Sequence, residues 1–433
     1  MNSTPVFRRL SAILPGLVLV IGLALSIYDV AGLATSLQNQ VFDAYQRIEP
    51  RKAGPANSHA VYVDIGAASV DAEGAWPWPR KRLSALIEAA RSAGASAVVL
   101  DMPVDEPDPT STSQLLKLWE PLGAEASTAG LQTGLANMPD YDRAFAADLA
   151  AAPSVISFVP GKAAIGDLRA PANAQAVLAE GSDARHYTRN YPAWRLSLPD
   201  FEIASKGEGA TLPDRTPGTA VRGLPMVVNL NGTLYPSNVL EALRVTSNGT
   251  GYHVNVVEPA SGFALGMEPG IDRVTLDGTD FAALTGPDGC LRLYFGRPET
   301  RLAIAASALM KNPADASLLR GRIAVIGVSS NGTERFYETP VGIPMASGAI
   351  TANAIDQIVD GAYLTRPGWA SAAEQLFIFL GGILVILAIG RFRFRWSFFL
   401  TIALVGGAGY GSWWAFDTHR WLIDPALGSI TLI

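Results

Sequence analysis

Uncharged runs near both ends of the chain limit what its 433 residues can fold into. Leu10 to Tyr28 is rich in Leu, Val and Ile, and as a helix rising roughly 1.5 Å per residue it would reach about 28 Å, close to a hydrocarbon core. Pro15 and Gly16 fall in its first turns, where a missing N–H matters least. A cleavable signal peptide is the rival reading, but its apolar core is normally about 7–15 residues, and no clean small-x-small site precedes Asp29. Near the other end, Gln375 to Gly390 and Trp396 to Phe416 are again uncharged, with Arg391, Arg393 and Arg395 between them. A further, mostly apolar run begins at Trp421 and reaches Ile433, short of the roughly 20 residues a span needs.

Arg8 and Arg9 precede the first run and the triple arginine lies between the next two, so the positive-inside rule places both on the cytoplasmic side. The expected organisation follows: residues 1–9 cytoplasmic, 10–34 a membrane helix, 35–367 an extracytoplasmic domain, 370–390 and 396–416 two further membrane helices, and 421–433 the start of another. Residues 35–370 hold 27 basic and 35 acidic side chains, a balance that suits an exterior domain. A multi-pass protein of a bacterial inner membrane is expected, with the bilayer as its first partner.

Composition excludes several functions. A net charge of −6 offers no clustered basic face for phosphates, so nucleic acid is not an expected partner. Cys290 is the only cysteine, which rules out an intrachain disulfide, and with His59, His186, His253 and His419 it forms no zinc spacing. No cofactor-binding signature and no catalytic residue is identified.

The long middle segment alternates strand and helix patterns. His59 to Gly66 has the period-2 signature of a strand, Lys81 to Ala93 places Leu83, Leu86, Ile87 and Ala90 at helical spacing before Gly94, and Ser96 to Met102 is a short apolar strand. These make a βαβ unit, so the sheet is at least partly parallel. A helix over 141–151 and a strand over 154–159 continue the pattern, whereas 105–140 reads as a loop or lid. Further strands are expected at 224–230, 251–257 and 322–328, and helices at 237–245, 302–310 and 350–359; residues 161–220 carry no clear pattern. The expected class is α/β: a mixed, mainly parallel sheet with flanking helices, attached to an α-helical membrane region.

Asp64 and Asp101 end two of the expected parallel strands, the edge where open α/β sheets hold ligands. With Asp105 and Glu106 they could present oxygens to a hard cation, or a polar socket around Arg80; the plainer reading is that strand-end carboxylates accept bonds from the next loop. Trp76-Pro-Trp78-Pro79-Arg80 stiffens the first strand–helix junction, and its indoles could line a pocket or simply pack on the core. Asp64, Trp76, Trp78, Arg80, Asp101 and Asp105 are therefore the candidate cluster, for ligand binding or structure, with Asp64, Arg80 and Asp101 expected to converge. Gly327-Val-Ser329-Ser330-Asn331-Gly332 follows a strand as a nucleophile elbow would, but Asn331 stands where that motif needs glycine. Asn231-Gly-Thr233, Asn248-Gly-Thr250 and Asn331-Gly-Thr333 read as turns rather than glycosylation acceptors.

Val61-Tyr-Val-Asp64-Ile65, Gly74-Ala-Trp-Pro-Trp-Pro-Arg80, Val98-Val-Leu-Asp101, Gly223-Leu-Pro-Met-Val-Val228, Leu319-Arg-Gly-Arg-Ile-Ala-Val-Ile-Gly327, Thr339-Pro340 and Ala352-Asn353-Ala-Ile-Asp356 occur in that order. The ordered set resembles the type-two CHASE domain, the cyclase and histidine-kinase associated sensory extracellular module of bacterial receptors. That resemblance implies one membrane helix before the domain and three after it, then a cytoplasmic adenylate or guanylate cyclase, or a histidine or serine/threonine kinase. It also implies a homodimer as the working unit and an unknown small-molecule or ionic signal. Glu334 and Ser347–Ala352 depart from the family pattern around the Thr-Pro pair, so no ligand role carries over there. An anchored hydrolase and a membrane scaffold are the rival readings.

Overall fold

The computed structural model describes residues 5–52, 54–119, 139–161, 169–180, 183–213, 219–258, 269–297, 300–313, 317–330, 336–391 and 394–433. A seven-stranded sheet forms its centre, with strands in chain order β1 (Ala60–Ile65), β2 (Ala97–Leu100), β3 (Ser154–Gly161), β4 (Ala193–Arg195), β5 (Gly207–Ala210), β6 (Ala303–Ala305) and β7 (Ile323–Val328). The spatial order runs β6-β1-β7-β2-β3, and β3 also pairs with β4 and β5. Every pairing is parallel except β3 with β4. β1 and β2 are thus parallel as expected, but β7, from more than 200 residues further on, lies between them.

Strand side chains alternate between faces, and that alternation divides the core in two. Val61, Val63 and Ile65 face one layer with Val98 and Leu100, against Leu83, Leu86 and Ile87 of α3 (Arg80–Ser92) and Phe145 and Leu149 of α4 (Tyr141–Ala151). Ala60, Tyr62 and Val99 face the other, against Val239 and Leu243 of α5 (Asn238–Ser247) and Ile350 and Ile355 of α6 (Ser347–Val359). This second core continues into a four-stranded sheet of Leu178–Glu180, Tyr252–Val257, Gly270–Leu276 and Ala282–Leu284. The result is mixed α/β, as expected.

Three expected elements differ. Residues 302–310 divide into β6 and a helix Ala306–Lys311, because β6 pairs along β1 and satisfies backbone groups a helix there would leave open. The run 224–230 breaks at Met226: Gly223–Pro225 pairs with Cys290–Arg292, while Val227–Leu230 pairs with Thr233–Pro236. Asn231 and Gly232 both adopt positive φ in the tight turn of that second hairpin, whereas Asn248 is the left-handed cap of α5. Asn331 and Thr333 lie outside the described residues, as do residues 120–138 of the expected lid; within the lid, residues 105–111 form an irregular segment and Thr112–Trp119 a helix.

The expected first membrane helix, drawn to residue 34, ends earlier. Helix α1 (Pro5–Tyr28) stops at Asp29, whose φ of 40° is left-handed, and α2 (Leu33–Ile48) leaves at an 80° bend. Asp29 holds that corner, its carboxylate accepting from Ala34 N (2.8 Å) and Thr35 Oγ1 (2.6 Å). After the domain come α7 (Ala370–Arg391), α8 (Phe394–His419) and α9 (Ala426–Leu432). Among the described residues α7 alone is long and apolar enough to cross a membrane; α1 and α2 meet the criterion only as a bent pair. The 26-residue α8 is long enough, but its glycines and aromatics dilute its hydropathy.

Candidate functional site

The pleat of β1 sends Tyr62 and Asp64 to the α5/α6 side of the sheet, and Asp101 at the end of β2 points the same way, towards the first turns of both helices. Asp64 Oδ1 accepts from Tyr62 Oη (2.9 Å) and Ser329 Oγ (2.5 Å). Burial, then the neighbouring negative charge of Asp64, push the Tyr62 hydroxyl far above the ordinary phenol range, with Asp101 adding to the effect. Tyr62 therefore stays protonated and serves as a donor between the two aspartates.

Asp101 is the centre of a wholly buried polar cluster. Its Oδ1 accepts from Thr211 Oγ1 (2.6 Å), Asn238 Nδ2 (2.7 Å) and Thr351 Oγ1 (3.1 Å), while Asn238 Nδ2 also reaches Ser157 Oγ (3.0 Å) and Thr211 meets Ser347 Oγ at 3.2 Å. Asn238 and Ser347 open α5 and α6, so two helix N-termini face the carboxyl. The approach is tight: a Cβ on Gly209 would meet the Asn238 backbone N at 2.6 Å, and one on Gly348 would meet the Tyr62 ring at 2.8 Å. Burial raises the Asp101 pKa against the pull of these hydroxyl and amide donors. Among the described residues Asp101 Oδ2 and Asn238 Oδ1 have no donor, an arrangement suited to a proton resident on Oδ2.

The other expected members stand elsewhere, and the convergence of Asp64, Arg80 and Asp101 is not found. Arg80 opens α3, which packs on the opposite face of the sheet. Its guanidinium donates to Glu106 O, pairs with Asp142 at 3.4 Å and lies over the Phe201 ring, while its backbone N–H donates to Asp108 (2.7 Å). Trp78 is buried in that core with Nε1 donating to Gly74 O (2.8 Å), and Trp76 packs beside it, so the indoles fill the core rather than line a pocket. Asp105 pairs with Arg195 (3.2 Å). The oxygen-rich cation site is likewise not assembled: among the described residues no three His, Cys, Asp or Glu side chains stand together to hold a metal. The reason is parity, since α3 covers the face of odd-numbered β1 residues and Asp64 is even.

A second buried acidic group flanks β5. Arg169 clamps Glu202 with two 2.5 Å bonds and Arg244 holds Glu241 at 2.7 Å, but Glu208 accepts only from Asn173 N (3.0 Å), and its Oε1 has no donor among the described residues. Burial, then the charge of Glu202, push the Glu208 carboxyl up to about 8. Isolated small polar residues such as Thr211, Asn238 and Thr351, and an acid inside a short glycine-flanked strand, carry no sequence signal that would single them out.

The domain meets the helices through a packed joint. Phe42 of α2, Tyr294 and Leu364 of the domain, Phe416 of α8 and Leu422 form one buried cluster, with Arg420 over the rings of Tyr294 (5.5 Å) and Phe416 (5.7 Å). Tyr45 Oη donates to Ser412 Oγ (3.0 Å), and Asp43 takes a two-pronged bond from Arg222 (2.9 and 2.8 Å).

These features define an α/β domain built around a buried polar cluster and packed against helices at its foot. The family model of the CHASE2 domain matches residues 17–390, and the chain belongs to that family. CHASE2 is a sensory extracellular domain of signalling receptors. No curated protein and no solved structure matches the chain.

Proposed function

We propose that this chain is the membrane-anchored, extracytoplasmic sensing half of a bacterial receptor that regulates a nucleotide cyclase in the cytoplasm. The joint of Phe42, Tyr294, Leu364, Phe416 and Leu422 is the observation that carries the reading. It ties α2, which follows α1, to the far end of α8, so a rearrangement of the domain moves both helices together. A belt of exposed apolar side chains, including Leu17 and Val20 on α1, Leu384 and Leu387 on α7 and Phe399 and Ile402 on α8, supports burial of these helices in lipid. The arginines flanking them support the orientation. A signal acts through such a joint only if it binds two states with different affinity, a coupling typically worth roughly 5- to 150-fold. The working unit we propose is a homodimer, as the family resemblance implies.

The test is made on the receptor in native membranes. Phe416→Ala removes the ring at the centre of the joint and should change cyclic-nucleotide output several-fold, whereas Trp414→Ala, whose side chain is half exposed, should not. Unchanged output with Phe416→Ala would refute coupling through the joint. Phosphotransfer in place of cyclic-nucleotide synthesis would assign the module to a kinase.

A further inference from the structure

At the foot of the domain, between the outer ends of α1 and α7 and the four-stranded sheet, lies a cavity of about 680 Å³. Its volume is in the range of small-ligand sites. Arg292, the last residue of the strand Cys290–Arg292, lines it. Three arginines approach one another here. Arg222 has Asp43 (2.8 Å) and Arg366 has Glu374 (2.8 Å), but Arg292 has no ion pair and no side-chain hydrogen bond among the described residues. Burial lowers its pKa; Asp288 opposes this, and Arg366 and Arg222 repel its charge.

None of the acids that line the cavity pairs with Arg292, because each has another partner. Asp29 caps the α1–α2 corner, Asp272 pairs with Arg273 (2.7 Å), Glu374 is held by Arg366 and by Asp424 N (2.7 Å), and Asp424 accepts from Ala426 N (2.8 Å). A partly buried guanidinium that Asp288 attracts without forming an ion pair, beside two further arginines, is stabilised when an oxyanion enters.

We propose that this cavity is a binding site for an oxyanion group, a phosphate or carboxylate that the Arg292 fork grips in bidentate fashion. It rests on the reading of the chain as a sensor joined to membrane helices, and it names the class of signal. Arg366 completes the positive side of the site while staying bound to Glu374. The cavity stands at the level where α1 and α7 meet the domain, so the same chemistry could come from a lipid headgroup or from a free solute.

The whole chain in nanodiscs of phosphatidylcholine is titrated with inorganic phosphate, following the fluorescence of Trp369 and Trp421, whose rings lie 5.6 Å apart beside the lining residues Thr365–Gly368. A second series replaces part of the lipid with phosphatidylglycerol. A saturable response is expected in one or both series, weakened roughly 10- to 100-fold by Arg292→Gln and unchanged by Arg91→Gln, an exposed arginine on α3. A response to phosphate identifies a solute, and a response to phosphatidylglycerol alone identifies a headgroup. Should Arg292→Gln fail to fold, Arg292→Lys decides: it keeps the charge, loses the fork and should weaken the response. No saturable response in either series, or equal responses in the wild-type chain and the Arg292 variants, overturns the proposal. Binding is read without signalling output, so its failure leaves the coupling through Phe416 standing, and the reverse holds.

Discussion

Glu208 supplies the most quantitative expectation. Its side chain is fully buried in β5 and one oxygen has no donor among the described residues; burial first, then the charge of Glu202 with a smaller push from Glu241, raises its pKa from 4.5 to about 8. Between those two values the unfolded chain has lost the proton while the folded chain keeps it. Folding stability from this group is therefore fully present below about 4.5 and falls as pH rises through the window, by about 1.4 kcal/mol per unit. From pH 5.5 to 8.5 the loss amounts to about 3 kcal/mol. Glu208→Gln removes the titration, keeps an acceptor for Asn173 N and leaves no charge to bury. The variant should lead the wild-type chain by about 1.4 kcal/mol near pH 5.5, and its lead should widen by about 3 kcal/mol by pH 8.5. Denaturant unfolding followed by tryptophan fluorescence at both pH values measures this, and hydrogen exchange of the β5 amides shows whether the change is local. Parallel pH dependences in the two proteins would show that Glu208 is not the protonated group.

Three further expectations follow from the same structure. Asp101→Asn keeps the acceptor on which Thr211, Asn238 and Thr351 converge and should cost less than about 1 kcal/mol, whereas Asp101→Ala strands three buried donors and should cost about 3 kcal/mol or more in thermal or denaturant unfolding. In a Cys290→Ser background, a membrane-impermeant thiol reagent applied to intact cells should label Glu106→Cys and spare Arg393→Cys; the opposite pattern would invert the proposed topology. The purified chain should show no cyclic-nucleotide synthesis, phosphotransfer or ester hydrolysis, and turnover abolished by a point change within it would make it an enzyme.

What could be read along the chain was whatever repeats locally. The period-2 run around Val61–Asp64, the helical spacing of Leu83, Leu86 and Ile87, and the glycine after them located β1 and α3 because each pattern reflects one element burying one face. The ordered motifs carried the family, which the match over residues 17–390 establishes. Placing Asp64 and Asp101 at strand ends was also a local matter. Their partners were not: Thr211, Asn238 and Thr351 stand 110, 137 and 250 residues from Asp101. Insertion of β7 between β1 and β2, and the choice of which sheet face α3 covers, depend on long-range pairing, and that choice put Arg80 and Trp78 on the side away from the aspartates. The unpaired state of Arg292 is equally a tertiary property, because it depends on Asp43 and Glu374 having been taken by Arg222 and Arg366. A sequence pattern records which face an element buries; only the packed chain decides which charges are left without a partner.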